Sequence, residues 1–444
     1  MGFKDIILTP FCLLILYIIL FVIKRKYIKD PIQKKYFIPA VSVKVLGALL
    51  LGIIYQFYYG GGDTFVYFTK GSGIIWEAFK EEPITAFKIL FEQGGGTINP
   101  QTSKYTIQIP FYNDPASFFI VKLSAFLGFF TLHTYTLNSI LFGLIAFSSF
   151  WAIFTLLLEK YPHLHKKLAF TLFFVPSVFL WGSGLLKDSI TMGALGWCFY
   201  SCYQIIVNKD RKALTFLILI VSAYVLYLVK IYILLCFLPA TFIWAFTHYS
   251  YKIKNRLLKL ILTPLLLCLA IGMGILSAKN LSMDNSRYNL ESIILTSQMT
   301  SEWLSHVSKQ SGGAFYDLGE IEFSLQGILK KAPAAINVTL FRPYIWEANN
   351  ILMFFTALES LLFLFLTVKV IKDRGIKSIT AIFKEPIIVF GLVFSLSFAF
   401  AVGISTVNFG TLVRYKIPLM PFYLLALFLI QNKGKIVTRP SLPR

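Results

Sequence analysis

The chain has 444 residues, 57% of them hydrophobic and only 14% charged, with a mean hydropathy of +0.70. A soluble domain of this length cannot hide so much apolar surface, and several runs reach the roughly 18 apolar residues of a membrane-spanning helix. The net charge of +21 is scattered over short loops with no basic domain, which argues against a nucleic-acid partner and fits loops facing anionic lipid.

The first apolar run, "IILTPFCLLILYIILFVI" (6–23), is longer than a signal-peptide core and is followed by a basic run instead of a small-x-small cleavage site, so it reads as a retained anchor. Loop 24–35 holds Lys24, Arg25, Lys26, Lys29, Lys34 and Lys35. A second span at 39–59 leads into "YYGGGDTFVYF" (58–68), where three glycines precede Asp63. Next, "IIWEAFKEEPITAFKILFE" (74–92) has the stripe of one amphipathic helix lying at the membrane interface. Residues 115–131 are apolar but short and carry Lys122, which predicts an interfacial or re-entrant helix. Further spans are expected near 133–158, 168–183, 189–207, 213–229, 231–249, 257–277, 351–371, 386–404 and 416–431, giving about 11 in a single all-α integral membrane domain, 1–444.

The positive-inside rule orders these spans. Loop 24–35 is cytoplasmic, and alternate counting puts "EKYPHLHKK", "NKDRK", "YKIKNRLLK", "KDRGIKSITAIFKE" and the tail "NKGKIVTRPSLPR" on the same side. All are basic and short. The agreement holds only if 115–131 does not cross. The extracytoplasmic face then collects two large loops, 60–114 and 278–350, with the corner "WGSGLLKDS" (181–189) and "STVNFGTLVRYK" (405–416). The glycine triplets at 60–62 and 94–96 and "SGG" at 311–313 fall on this face, where glycine lets a backbone turn sharply or a loop reorder.

Cys12, Cys198, Cys202, Cys236 and Cys268 all fall in apolar runs and read as buried small hydrophobes. No cofactor is called for, and a divalent metal has no recognisable ligand set. His163 and His165 read as solvated loop residues. Asp63 follows a flexible glycine hinge at a membrane exit, where a carboxylate can accept a proton from a hydroxyl. A solvated turn aspartate is the plainer alternative. Lys187 and Asp188 sit at headgroup level after a tight corner, suited to a lipid phosphate, a helix cap or a local ion pair. Arg342 and Glu347, in "FRPYIWEANN", either pair with each other or leave Arg342 for phosphate. Arg414, Tyr415 and Lys416 combine cations with a ring able to stack on a sugar; ordinary snorkelling to headgroups is the alternative. Lys44 and Glu359 lie inside predicted spans.

With "GGDTFVY" in the first long outer loop, interfacial helices after it and cations at later outer ends, the chain resembles the GT-C superfamily of membrane glycosyltransferases. That resemblance implies a polyprenyl-phosphate sugar donor, a glycan, lipid or protein acceptor, and a base at Asp63. It also implies carrier-phosphate contacts among Lys187, Arg342, Arg414 and Lys416. The chain departs from the family in an extra span before the acidic loop and in having no soluble C-terminal domain. The implied setting is a bacterial inner (cytoplasmic) membrane with the active site facing outward. A polysaccharide polymerase or ligase using lipid-linked oligosaccharide is the nearest alternative, and a lipid-linked sugar flippase or other transporter is the rival from another class.

Overall fold

Capping chemistry sets where many of the helices begin and end. In the computed structural model, which describes residues 2–96, 98–250, 330–375, 385–406 and 408–432 with single positions 316, 318, 327, 378, 381 and 382, α1 (Phe3–Lys26) ends on Lys24, Arg25 and Lys26. Cations there suit the negative end of the helix dipole. Asp30 accepts hydrogen bonds from the amides of Ile32 (2.7 Å) and Gln33 (3.3 Å) and, with Pro31 next, starts α2 (Pro31–Ile53). The helix widens into a π-turn over Ile54–Tyr58. After the glycines, α3 (Asp63–Phe65) runs through a π-helical stretch, Val66–Ser72, into α4 (Gly73–Glu81).

Pro83 then divides the helix expected over 74–92. Proline has no N–H to extend the ladder of α4, and the chain restarts as α5 (Pro83–Phe91). A single turn, α6 (Ser103–Thr106), follows. Asp114 caps α7 (Pro115–Thr131) by accepting from Ala116 N (3.1 Å). The chain continues as α8 (Tyr135–Lys160), α9 (His165–Ala169), α10 (Pro176–Trp181), α11 (Lys187–Ile206) and α12 (Ala213–Ser250). The last described elements are α13 (Ala332–Phe341), α14 (Ile351–Arg374), α15 (Pro386–Ser405), α16 (Phe409–Tyr415) and α17 (Met420–Asn432).

Every regular element among the described residues is helical. Six helices there are long and apolar enough to cross a membrane: α1, α2 with its extension to Tyr58, α8, α12, α14 and α15. α16 and α17, bent by 66°, make a seventh if they form one broken span. The chain is thus a helical integral membrane protein. Two expected spans take other forms. That at 168–183 is interrupted where α10 begins at Pro176, and α11 carries Lys187, Asp188 and Gln204, which lower its hydropathy. The expected pair 213–229 and 231–249 is one continuous element, α12, broken at Lys230 (φ −147°, ψ 74°). The expected span 257–277 and most of loop 278–350, with "SGG", lie outside the described residues.

The fold divides into two compact units, Met1–Ser201 with Arg211–Ile231, and Cys202–Asp210 with the described part of Tyr232–Val437. In the first, α2 and α8 pack antiparallel. Phe37 meets Phe147 and Trp151 at 6.0 and 5.0 Å, while Lys44, farther along α2, lies level with Gly143, farther back along α8. α11 runs parallel to α8, with Gly193 against Ile145 and Gly196 against Ser149. The end of α2 and the starts of α8 and α11 therefore share one end of the unit. α7 is tied to that end twice. Asp114 at its head bonds Lys187 at the head of α11 (3.1 Å), and its tail passes through His133 directly into α8. Its 17 residues, about 25 Å of helix, lie across that end of the bundle without traversing it.

The core at this end combines Ile75 and Ala78 of α4, Ala86 and Ile89 of α5, Phe118 and Val121 of α7, and Tyr135 and Phe142 of α8. In the second unit α13 packs on α15, with Thr339 Oγ1 donating to Ala399 O (2.8 Å). α15 and α14 both pack on α17, through Gly391 against Phe422 and through Phe363 stacked on Tyr423 (6.0 Å).

Candidate functional site

The glycine triplet forms a hydrogen-bonded corner at the position where the sequence suggested a hinge. Tyr59 N donates to Ile54 O (3.0 Å) and Gly61 N to Tyr55 O (2.8 Å), so the turn is bonded to the end of α2. Gly60, Gly61 and Gly62 all have positive φ, at 68°, 140° and 128°. With ψ −170°, Gly62 lies in a region essentially reserved for glycine. A Cβ there would come within 2.7 Å of the Tyr55 ring. Gly62 O then accepts from Phe65 N and Val66 N (3.1 Å each), which starts the next helix on Asp63.

Asp63 is exposed, while Thr64 turns inward and bonds Tyr135 OH (2.8 Å), and Phe65 stacks on the Tyr135 ring (4.5 Å). The helix that begins at Asp63 is thus locked to α8 one residue later. Gly62→Val should cost about 1–3 kcal/mol from backbone strain alone, beyond its collision with Tyr55. Gly96→Ala, at a site with open space and ordinary φ, should be close to neutral. Thermal melting of the two purified variants checks the difference.

The corner after α10 packs on the same turns of α2. Trp181 meets Tyr55 edge-on (6.3 Å), and Leu51 lies against Gly184. Lys187 and Asp188 begin α11 but face different partners. Lys187 Nζ bonds Asp114 Oδ2, which also accepts from Ser117 Oγ (2.6 Å). Burial pushes the Asp114 carboxyl up, but the Ser117 hydrogen bond and the Lys187 charge outweigh it and hold it below the usual carboxylate range. Asp188 forms a buried ion pair with Lys230. Lys230 was missed at the sequence level, although it is the sole Lys, Arg, Asp or Glu in α12. Lys44, fully buried in α2, donates to Gly182 O (2.9 Å) and Val178 O (3.4 Å) and so caps the C-terminal end of α10.

The second unit gathers three of the expected residues. Arg342 grips Glu347 with two guanidinium nitrogens, Nε lying 3.0 Å from Oε2, and the rings of Phe409, Tyr344 and Tyr316 surround it at 5.2, 5.7 and 5.9 Å. Partial burial raises the Glu347 carboxyl, yet Arg342 and the Tyr344 amide bring it below its ordinary value. Lys416 faces inward, toward neither headgroups nor solvent. Its ammonium donates to Ser360 Oγ (3.0 Å) and Arg342 O (3.2 Å). Arg414 and Tyr415 lie half-buried on α16.

The histidines divide differently from expectation. His163 is exposed, but His165 bonds Tyr36 OH (2.9 Å) from 129 residues away. His133 lies between the rings of Phe68 (4.1 Å) and Trp76 (5.5 Å), with Ser72 Oγ at 3.2 Å. Burial, with the charges of Lys4 and Lys80, pushes its imidazole down from 6.5 to about 4. The unfolded chain therefore takes up the proton first as pH falls. The stability from neutral His133 is complete above about pH 6.5 and declines toward pH 4, by at most about 3 kcal/mol. Melting in detergent at pH 7 and pH 4.5 should show this loss, and His133→Asn, which tolerates the positive φ there, should flatten it.

No group of three or more His, Cys, Asp or Glu side chains able to hold a metal occurs among the described residues. No protein-family model, curated protein or solved structure matches the chain.

Proposed function

We propose that the chain is a membrane glycosyltransferase that moves a sugar from a polyprenyl-phosphate donor to an acceptor hydroxyl on the extracytoplasmic side of an inner membrane. The observation that carries this reading is an exposed carboxylate, Asp63, on a hydrogen-bonded glycine corner packed beside the corner that presents Lys187. Asp63 accepts the acceptor's proton as its oxygen attacks the anomeric carbon. The bond from that carbon to the phosphate oxygen breaks, and polyprenyl phosphate leaves. Lys187 is the cation assigned to that phosphate. Among the described residues the Lys187 ammonium uses one of its three N–H groups on Asp114, leaving others for a ligand oxygen. The eleven-span topology, N-terminus outside, belongs to this proposal.

A polymerase or ligase would use the same groups, and product length separates it from a single transfer. A transporter is less well supported, because the buried cations Lys44 and Lys230 serve a helix cap and an ion pair. Sealed vesicles containing the purified protein and a sugar-labelled polyprenyl phosphate decide between the classes. Label passing from the lipid to an acceptor is the expected result. Label crossing the bilayer while still attached to its lipid would make the protein a transporter.

A further inference from the structure

The amphipathic pattern of α5 leaves a residue of apolar surface that its packing does not use. Ala86 and Ile89 are buried in the core, which satisfies one face. The other face carries Ile84, Phe87 and Phe91, exposed by 74%, 49% and 86%. These positions recur at three and four residues and so form one stripe. Phe87 stacks on Phe129 of α7 (5.9 Å), and α7 extends the apolar surface through Phe126 and Phe130, which meet each other at 5.5 Å, to Leu132. A contiguous exposed apolar surface of several large side chains marks an interaction site.

Two observations identify the partner. The patch is continuous with a wall that already faces lipid. Asp5, in the first turn of α1, accepts from Thr136 N (2.8 Å) in the first turn of α8, so the start of α1 is level with the corner holding Leu132. Phe3, Ile6 and Ile7 of that turn are exposed, and α1 is a membrane-spanning candidate with little of its surface buried. The charges at the rim also suit anionic headgroups. Lys4 and Lys80 both act on His133 beside the patch, and Lys88 is exposed next to Phe87, whereas Glu81 and Glu82 are held by Lys104.

We propose that α5 and the C-terminal half of α7 are immersed in the bilayer leaflet at this end of the first unit, with Lys4, Lys80 and Lys88 at the phosphate level. α7 thereby becomes a helix lying in one leaflet, apolar toward the acyl chains and fixed from behind by Asp114–Lys187 and by the Lys122 bond to Glu92 O. The proposal does not depend on the glycosyltransferase reading.

The test places single nitroxide labels at positions 87, 91 and 130 of the full chain, in a background whose native cysteines are replaced, in vesicles of phosphatidylethanolamine and phosphatidylglycerol. Gln108, an exposed polar position on the same lobe whose amide donates to Lys104 O, is the aqueous control. Matching melting temperatures confirm that each labelled protein is folded, and Ile84 replaces any site that fails. At all three sites, collision with dissolved oxygen relative to a water-soluble nickel chelate should be several-fold higher than at position 108. Ratios equal to the control would place the patch in water and overturn the proposal. So would spin–spin broadening that disappears on dilution with unlabelled protein, since a second copy would then cover the patch.

Discussion

Asp63→Asn should slow sugar transfer by roughly 10²–10⁴-fold, the usual consequence of removing a general base. That range corresponds to about 3–5 kcal/mol of barrier. The substitution keeps the size of the side chain and its place at the start of α3, but the amide cannot take the acceptor's proton. Thr64 and Phe65 still hold the helix against Tyr135, so the fold should be unchanged. Donor binding should persist, because the phosphate is assigned to Lys187. The comparison is initial rate and donor affinity for both proteins in the same vesicles. Full activity in Asp63→Asn would remove the base from this position, and loss of donor binding would reassign Asp63 to substrate contact.

Breaking the ion pair between α11 and α12 should produce the largest loss of stability. Asp188 and Lys230 are 1% and 8% exposed, so removing either partner leaves a charge with no water to replace it. Lys230→Met should therefore destabilise the protein by about 3–5 kcal/mol. The double variant Asp188→Leu with Lys230→Met should recover most of that loss, since a well-packed apolar pair avoids the desolvation cost of two ions. Unfolding in mixed detergent, followed for wild type, both single variants and the double, completes the cycle. A double variant as unstable as Lys230→Met would show that packing, not charge, holds the two helices at this point.

Spans made of long apolar runs were legible because the bilayer imposes length and composition on them directly. α1, α2, α8, α14 and α15 appear where hydropathy puts them, and the interruption of α12 falls at Lys230, between the two spans read from the sequence. Counting basic loops required 115–131 not to cross, and α7, at 17 residues, is shorter than the helices long enough to span. Other features depend on helix packing, which hydropathy does not encode. The pairing of Asp188 with Lys230 spans 42 residues, and that of Tyr36 with His165 spans 129. Lys416 turns inward because Ser360 and the Arg342 carbonyl meet it there, a consequence of how α14 packs beside α16. The break at Pro83 could have been read from the sequence, but the apolar stripe continues across it and hid the change of helix. The glycine corner was found, though the contacts that shape it were not. They are its backbone hydrogen bonds and the Tyr55 ring beside Gly62, and neither is visible in "GGGD".

The central claim is that a glycosyl group, without its phosphate, leaves a lipid donor. A polyprenyl-phosphate sugar carrying one label on the sugar and another on the phosphate tests it most directly, with purified protein in lipid and a mixed pool of candidate acceptors. The account predicts that the sugar label moves to an acceptor while the phosphate label stays on the polyprenyl chain as its monophosphate, and that Asp63→Asn suppresses the separation. Two labels that travel together to the acceptor, or that both remain on intact donor under conditions where the protein binds it, would contradict the account.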